Sequence, residues 1–287
     1  MAVRKLLVPL AGSNADDVAI ATAAEVAKLW RAHVFAVHFY AQSSALTAGP
    51  DVFPIGMIDK LAGEHDSERA GQVEAAQQRF SRIADQHGLL RAPAARDAEC
   101  ATAEFVVSTG RPDEVVAQMA RLTDMTVVPH LDFDRDAIFT GALHAALFDS
   151  GRPVLIAPHR QPVTIGRRIC VAWNGTAESA SGVQAALPWL KRAELVRILT
   201  ATGYQRRGPG AAELATYLAL HEVSAEVVVV PPLQGSVGLG LLEAVRTFDA
   251  DLLAMGAYSH PRWRQMILGG VTRSVLERAA LPVLMSR

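Results

Sequence analysis

Cysteine is almost missing from this chain of 287 residues: Cys100 and Cys170 are the only two, and no CxxC spacing joins them. That excludes a disulfide-built scaffold and leaves a zinc or dithiol device without ligands, so both thiols read as buried small hydrophobes. A dominant charge is missing as well. Lys plus Arg number 28 against 29 Asp plus Glu, a formal net charge of −1, which lacks the basic excess of a dedicated nucleic-acid binder. No apolar run approaches the roughly 18 residues of a membrane span, and the run after Arg4-Lys5 is too short for a secretory signal. The expectation is a cytoplasmic protein with neither nucleic acid nor membrane as partner. Disorder is excluded too, because half of the residues are hydrophobic and 20% are charged.

What is present is a repeat. Lys5 to Ser13 aligns without a gap on Arg168 to Thr176, each a short apolar run closing in Gly-Ser or Gly-Thr. Further on, Gly141 to Ala157 aligns on Gly270 to Ser286, with Leu147 over Leu276 and Pro153-Val154-Leu155 over Pro282-Val283-Leu284. Two matched ends define two units, 1–158 and 166–287, joined by a linker in which Pro162 resists helix continuation.

Strand-length apolar runs fall at 4–9, 33–39, 99–107, 125–129 and 153–157, and again near 168–173, 195–200, 225–230, 251–255 and 282–285. Ala-rich segments of helical spacing separate them. This alternation predicts an α/β fold of two tandem doubly wound, parallel, five-stranded sheets, each ordered 3-2-1-4-5. Asn14 is expected to cap the first helix, with Val18, Thr22, Val26 and Leu29 on its buried face and Asp16 and Asp17 serving its dipole. The stretch 41–63 has no counterpart of its length in the second unit and reads as a surface excursion, ordered in part by Phe53, Ile55 and Met57. Both final strands are apolar edges, so they are expected to pair the units into an intramolecular pseudo-dimer. A further homodimer is left open.

In such a sheet the ligand crevice lies between the first and fourth strands. The second unit places Trp173-Asn174-Gly175-Thr176 and Gly256-Ala257-Tyr258-Ser259 there, followed by Gly269-Gly270-Val271-Thr272 opening the last helix. Glycines let backbone approach a phosphate, and a helix start offers free N–H groups. The first unit has Ala11 instead, and its loop carries Asp132, Asp134 and Asp136 against Arg135, a charge that repels phosphate. In the second unit the loop carries Arg262 and Arg264, read either as attraction for phosphate or as ordinary solvated charge. His130 and His260 read as crevice contacts or as loop residues, and Trp173 either stacks on a base or fills the core. Gly235 to Gly240 lacks a P-loop lysine and reads as a turn before a helix. No GxSxG elbow occurs. His33 and His38 lie five apart on one strand and point to opposite faces, so no metal is expected.

With these residues in view, the chain resembles the universal stress protein family in its tandem form. Members that bind ATP carry Gly-x2-Gly-x9-Gly-Ser/Thr after the fourth strand. Here Gly256, Ser259, Gly269 and Gly270 hold the four positions, with the spacer from His260 to Leu268 intact. Ser259 and Gly270 depart from the pattern, and the Asp common in the family at the end of the first strand is Asn174 here and Ala11 in the first unit. Gly110-x-Pro112 is similar to the family as well. The resemblance implies a stress-response regulatory protein without catalytic residues, any ATP hydrolysis being slow. It also implies one ATP per chain, an adenine nucleotide held by Trp173, Asn174, Gly256, Ser259, Gly269, Gly270, Val271 and Thr272. Two alternatives stay open: a ligand-free interaction scaffold, and an enzyme of the adenine-nucleotide α-hydrolase type, for which paired carboxylates and a phosphate-binding lysine are missing.

Overall fold

A computed structural model describes residues 3–40, 55–95, 98–130, 137–206, 208–257 and 270–287. The first half builds β1 (Lys5–Leu10), α1 (Ala15–Trp30), β2 (His33–Tyr40), α2 (Ile55–Gln86), β3 (Leu90–Arg91), β4 (Thr102–Thr109), α3 (Pro112–Ala120), β5 (Met125–Val128), α4 (Ala137–Asp149) and β6 (Val154–Ile156). The second half follows with β7 (Arg168–Ala172), α5 (Ala177–Leu190), β8 (Leu195–Ala201), α6 (Ala211–Leu220), β9 (Glu226–Val230), α7 (Val237–Thr247), β10 (Leu252–Gly256), α8 (Gly270–Arg278) and β11 (Val283–Ser286).

The expected strand order appears in each half, but the two sheets are one. Eleven strands run in the order β3-β4-β2-β1-β5-β6-β11-β10-β7-β8-β9. Neighbours pair in parallel except β6 and β11, which meet antiparallel with Val154 opposite Met285 and Leu155 opposite Leu284. Each of these strands would be an unpaired apolar edge if its half stood alone, and each covers the other. The core therefore does not divide at the linker. One buried cluster runs under α1, α2, α5 and α6 from Val3 to Leu284, and the other lies under α3, α4, α7 and α8 from Leu7 to Met285. On the first face Trp30 and Trp189 meet edge to face across the halves, ring centroids 4.3 Å apart.

Repetition reaches the level of single hydrogen bonds. Asp124, just before β5, accepts from the N–H groups of Arg4 and Lys5 at 2.7 and 2.9 Å. Asp251, just before β10, accepts from Arg167 and Arg168 at 3.1 and 2.9 Å. In both halves one carboxylate ties the start of the fourth strand to the start of the first.

Local readings differ from the structure in five places, the first being Cys100, which is exposed while Cys170 is buried. Asn14 makes no side-chain cap, and its Oδ1 instead accepts from Arg79 at 3.2 Å. Of the expected face of α1, Thr22 and Val26 are fully buried and Val18 packs on the core, but Leu29 is 37% exposed, while Ala19, Ile20, Ala23 and Ala27 are buried as well. Alanine on several faces removes the contrast that fixes a helical stripe. Residues 55–63 belong to α2 rather than to an excursion, while 41–54, including Phe53, lie outside the described residues. Finally, β3 adds a two-residue edge strand beyond β4, with Leu90 opposite Thr102.

Candidate functional site

In the second half β7 and β10 are neighbours, and the chain leaves them for opposite faces of the sheet, to α5 and α8. A cleft opens at their carboxyl ends, the switch point of a doubly wound sheet. Trp173, Asn174, Gly256, Val271 and Thr272 line it together, joined by Glu178, Tyr204 and Met255. Among the described residues, the sequence reading thus brings five of its site positions to one place. Gly270 starts α8 beside them, exposed, with open space where a Cβ would stand. Ser259 and Gly269 lie outside the described residues, as do Tyr258, His260, Arg262 and Arg264.

The local geometry shows what each residue is committed to. Trp173 is 7% exposed, and its indole N–H donates to the carbonyl of Pro209 at 2.9 Å. The Oδ1 of Asn174 accepts from the N–H and the hydroxyl of Thr176 at 3.2 and 3.0 Å, closing an Asx turn over Gly175 at φ +81°. Thr176 in turn caps α5, its Oγ accepting from the N–H of Ser179 at 3.2 Å. Tyr204, Glu178 and the first turn of α8, with Val271 and Thr272, complete the lining of the cleft. The enclosed space is about 50 Å³, enough for a few waters or one small group.

Gly256 has a role the sequence did not disclose. A Cβ there would stand 2.4 Å from the carbonyl carbon of Glu178 and 2.5 Å from the nitrogen of Ser179. One turn on, a Cβ on Gly182 would stand 2.7 Å from the carbonyl carbon of Met255. The end of β10 lies directly on the backbone of α5, so these two glycines set the width of the cleft floor.

The corresponding loop of the first half is closed by its own chain. The carboxylate of Asp16, 1% exposed, accepts from the N–H groups of Ala11, Gly12 and Ser13 at 3.3, 2.8 and 3.1 Å. Burial raises its pKa from 3.8 to about 6, against the opposing pull of those three N–H groups and of Arg79. The aligned residue of the second half is Ser179, whose hydroxyl donates to Thr176 O at 2.8 Å. Spacing alone could not find this, since an acid in a first turn that serves the dipole outward and one that folds inward occupy the same position. His130, at the end of β5, is buried at 8% with its ring centroid 3.5 Å from that of His159. Among the described residues, no group of three His, Cys, Asp or Glu side chains could hold a metal ion.

Comparison with known proteins agrees with this architecture. The structure is similar to that of a universal stress protein from Archaeoglobus fulgidus DSM 4304, with a TM-score of 0.68, 16% identity, and coverage of 99% of this chain and 98% of that one. It is also similar to a functionally unknown protein from Pseudomonas aeruginosa PAO1, with a TM-score of 0.56, 15% identity, and coverage of 99% and 92%. At these identities the likeness is one of fold. No curated protein matches the chain. Residues 166–287, however, match the model of the universal stress protein family, and these are the residues that carry the cleft.

Proposed function

We propose that the chain is a stress-response regulatory protein built as two universal stress protein-like units, 1–158 and 166–287, in which only the second holds a ligand, one adenine nucleotide, ATP, bound rather than turned over. The family match of the second half supports the stress-response part of this reading. The observation that carries the ligand part is the switch-point cleft itself. There the first turn of α8, Gly270 to Thr272, faces the end of β7 across a floor kept narrow by Gly256 and Gly182. A phosphate group fits that helix start, where N–H groups and dipole favour an anion. In the first half the other side of the corresponding crevice, the loop after β1, is filled by the Asp16 carboxylate, which supports one nucleotide per chain.

A second reading is a ligand-free scaffold. It is favoured by the small enclosed space and by the commitment of Trp173 and Asn174 to protein partners. Gly270→Val separates the two. Among the described residues a Cβ at Gly270 meets nothing within 4 Å, so folding should survive while a branched side chain stands where phosphate would approach. Titration calorimetry with ATP should give one site in the wild type and at least about tenfold weaker binding in the variant, the scale of one charge-assisted hydrogen bond. A wild type that binds no ATP, and that releases none on denaturation, leaves the scaffold.

A further inference from the structure

Where β6 meets β11, the repeat relates the two halves by an approximate twofold axis, so each feature beside one strand end has a counterpart beside the other. On one side Ala157 continues into the linker, with Pro158, Ile165 and Gly166 buried; a Cβ on Gly166 would stand 2.6 Å from Trp189. The chain itself fills that position. On the other side lie the end of β11 and the amino-terminal ends of β1, β5 and β6, and there a cavity of about 430 Å³ opens against α5. Its size falls within the roughly 300 to 1,000 Å³ of small-molecule pockets.

The charges around this cavity are not those of its related position. Arg152, exposed on its rim, aligns with Leu281, which packs on the core. Lys191, also on the rim, aligns with Lys28, which is neutralised by Glu25 at 2.7 Å. The counterpart of Glu25 is Pro188, so the second half has lost the acid and kept the cation. Asp124 lines the cavity as well, but its carboxylate is engaged by the N–H groups of Arg4 and Lys5. Between the cations the wall presents Met125, Leu187 and Pro188 as its apolar part, beside the polar Ser181, Gln184 and Ser286. The related position pairs its lysine with an acid and has no counterpart of Arg152, whose guanidinium here donates to the carbonyl of Arg121 at 3.4 Å from the rim.

We propose that this cleft is a binding site for a small organic anion with an apolar body, its acidic head held by Arg152 and Lys191 and its body lying against Met125, Leu187 and Pro188. Both cations are exposed and act through a field that salt screens, and guanidinium geometry suits a carboxylate, phosphate or sulfonate head. The site is separate from the nucleotide cleft, and neither depends on the other.

Two methionines make the test site-resolved, because Met125 lines this cavity and Met255 lines the nucleotide cleft. The probe is anilinonaphthalene sulfonate, titrated into protein labelled at the methionine methyl groups and followed by NMR. Expected is a saturable shift of the Met125 resonance with Met255 unmoved. The uncharged phenylnaphthylamine, and the double variant Arg152→Glu with Lys191→Glu, should each reduce affinity at least about tenfold. Both substitutions are on the surface, so circular dichroism should confirm an unchanged fold. The proposal is overturned if Met255 shifts and Met125 does not, if neither shift saturates, or if the uncharged probe or the double variant stays within about twofold of the reference affinity.

Discussion

The two halves share a strand order and the same carboxylate tie at the first strand, yet they solve the end of that strand in opposite ways. In the first half a buried carboxylate, Asp16, turns back onto Ala11, Gly12 and Ser13 and satisfies the loop from within. In the second half Ser179 leaves the position small, and Gly182 and Gly256 draw the fourth strand against α5 where the first half has Ala19 and Pro129. The comparison teaches that a repeated fold does not repeat its ligand chemistry. In the first half the three loop donors face the chain's own acid, whereas in the second the N–H of Thr176 turns to the Asn174 side chain.

The sharpest way to break the comparison is to remove the close approach that only the second half has. In Gly256→Val the new Cβ would meet backbone atoms of Glu178 and Ser179 at 2.4 to 2.5 Å, and backbone cannot move aside as the tip of a side chain can. Overpacking of this kind should cost about 3 kcal/mol, read as a lower denaturant midpoint. Gly270→Val, with open space at its Cβ, should cost about 0.5 kcal/mol. Equal losses in the two variants would show that the floor of the cleft is not set by Gly256.

The second test concerns the acid that only the first half has. The pKa of Asp16 rises on folding from 3.8 to about 6, so the folded state binds the proton more tightly than the unfolded chain does. Its stabilising contribution is therefore complete below about pH 4 and is lost as pH rises through 6. Asp16→Asn removes that titration. The stability of the wild type relative to this variant should fall by on the order of 2 kcal/mol between about pH 4 and pH 7, measured by chemical denaturation at several pH values. A relative stability that rises over this window would mean that the three N–H donors outweigh burial and hold the carboxylate ionised.

How much of this was legible beforehand depended on whether the deciding contact was periodic. Strand order was legible, because strands buried on both faces read as uninterrupted apolar runs, as Leu6 to Leu10 and Leu252 to Met255 do. Pairing of β6 with β11 followed from two apolar edges. The edge strand β3 was not legible, since two exposed residues, Leu90 and Arg91, carry no alternation to read. Among the expected site residues, Trp173, Asn174, Gly256, Val271 and Thr272 line one cleft, but what each is committed to was hidden. Sequence cannot say that the missing Cβ of Gly256 answers to α5, because that contact joins residues far apart along the chain. Nor could it say that Asn14 would leave the cap while Asp16 turned inward.

The smallest expected effect asks how far the likeness of the halves extends. Asp124 and Asp251 each accept two backbone N–H groups at the start of the first strand of their half, at 2.7 and 2.9 Å and at 3.1 and 2.9 Å. Asp→Asn at either position keeps one acceptor oxygen and removes the charge, so each variant should lose about 1 kcal/mol, the scale of one hydrogen bond to a charged group weakened to a neutral one. The two losses should agree within about 0.5 kcal/mol if the ties are equivalent, and should add in the double variant because the sites share no partner. Both buried clusters run through both halves, so either substitution should lower a single calorimetric transition rather than split it. Two resolved transitions, with Asp124→Asn shifting only one of them, would show that the halves fold as independent bodies despite the shared sheet.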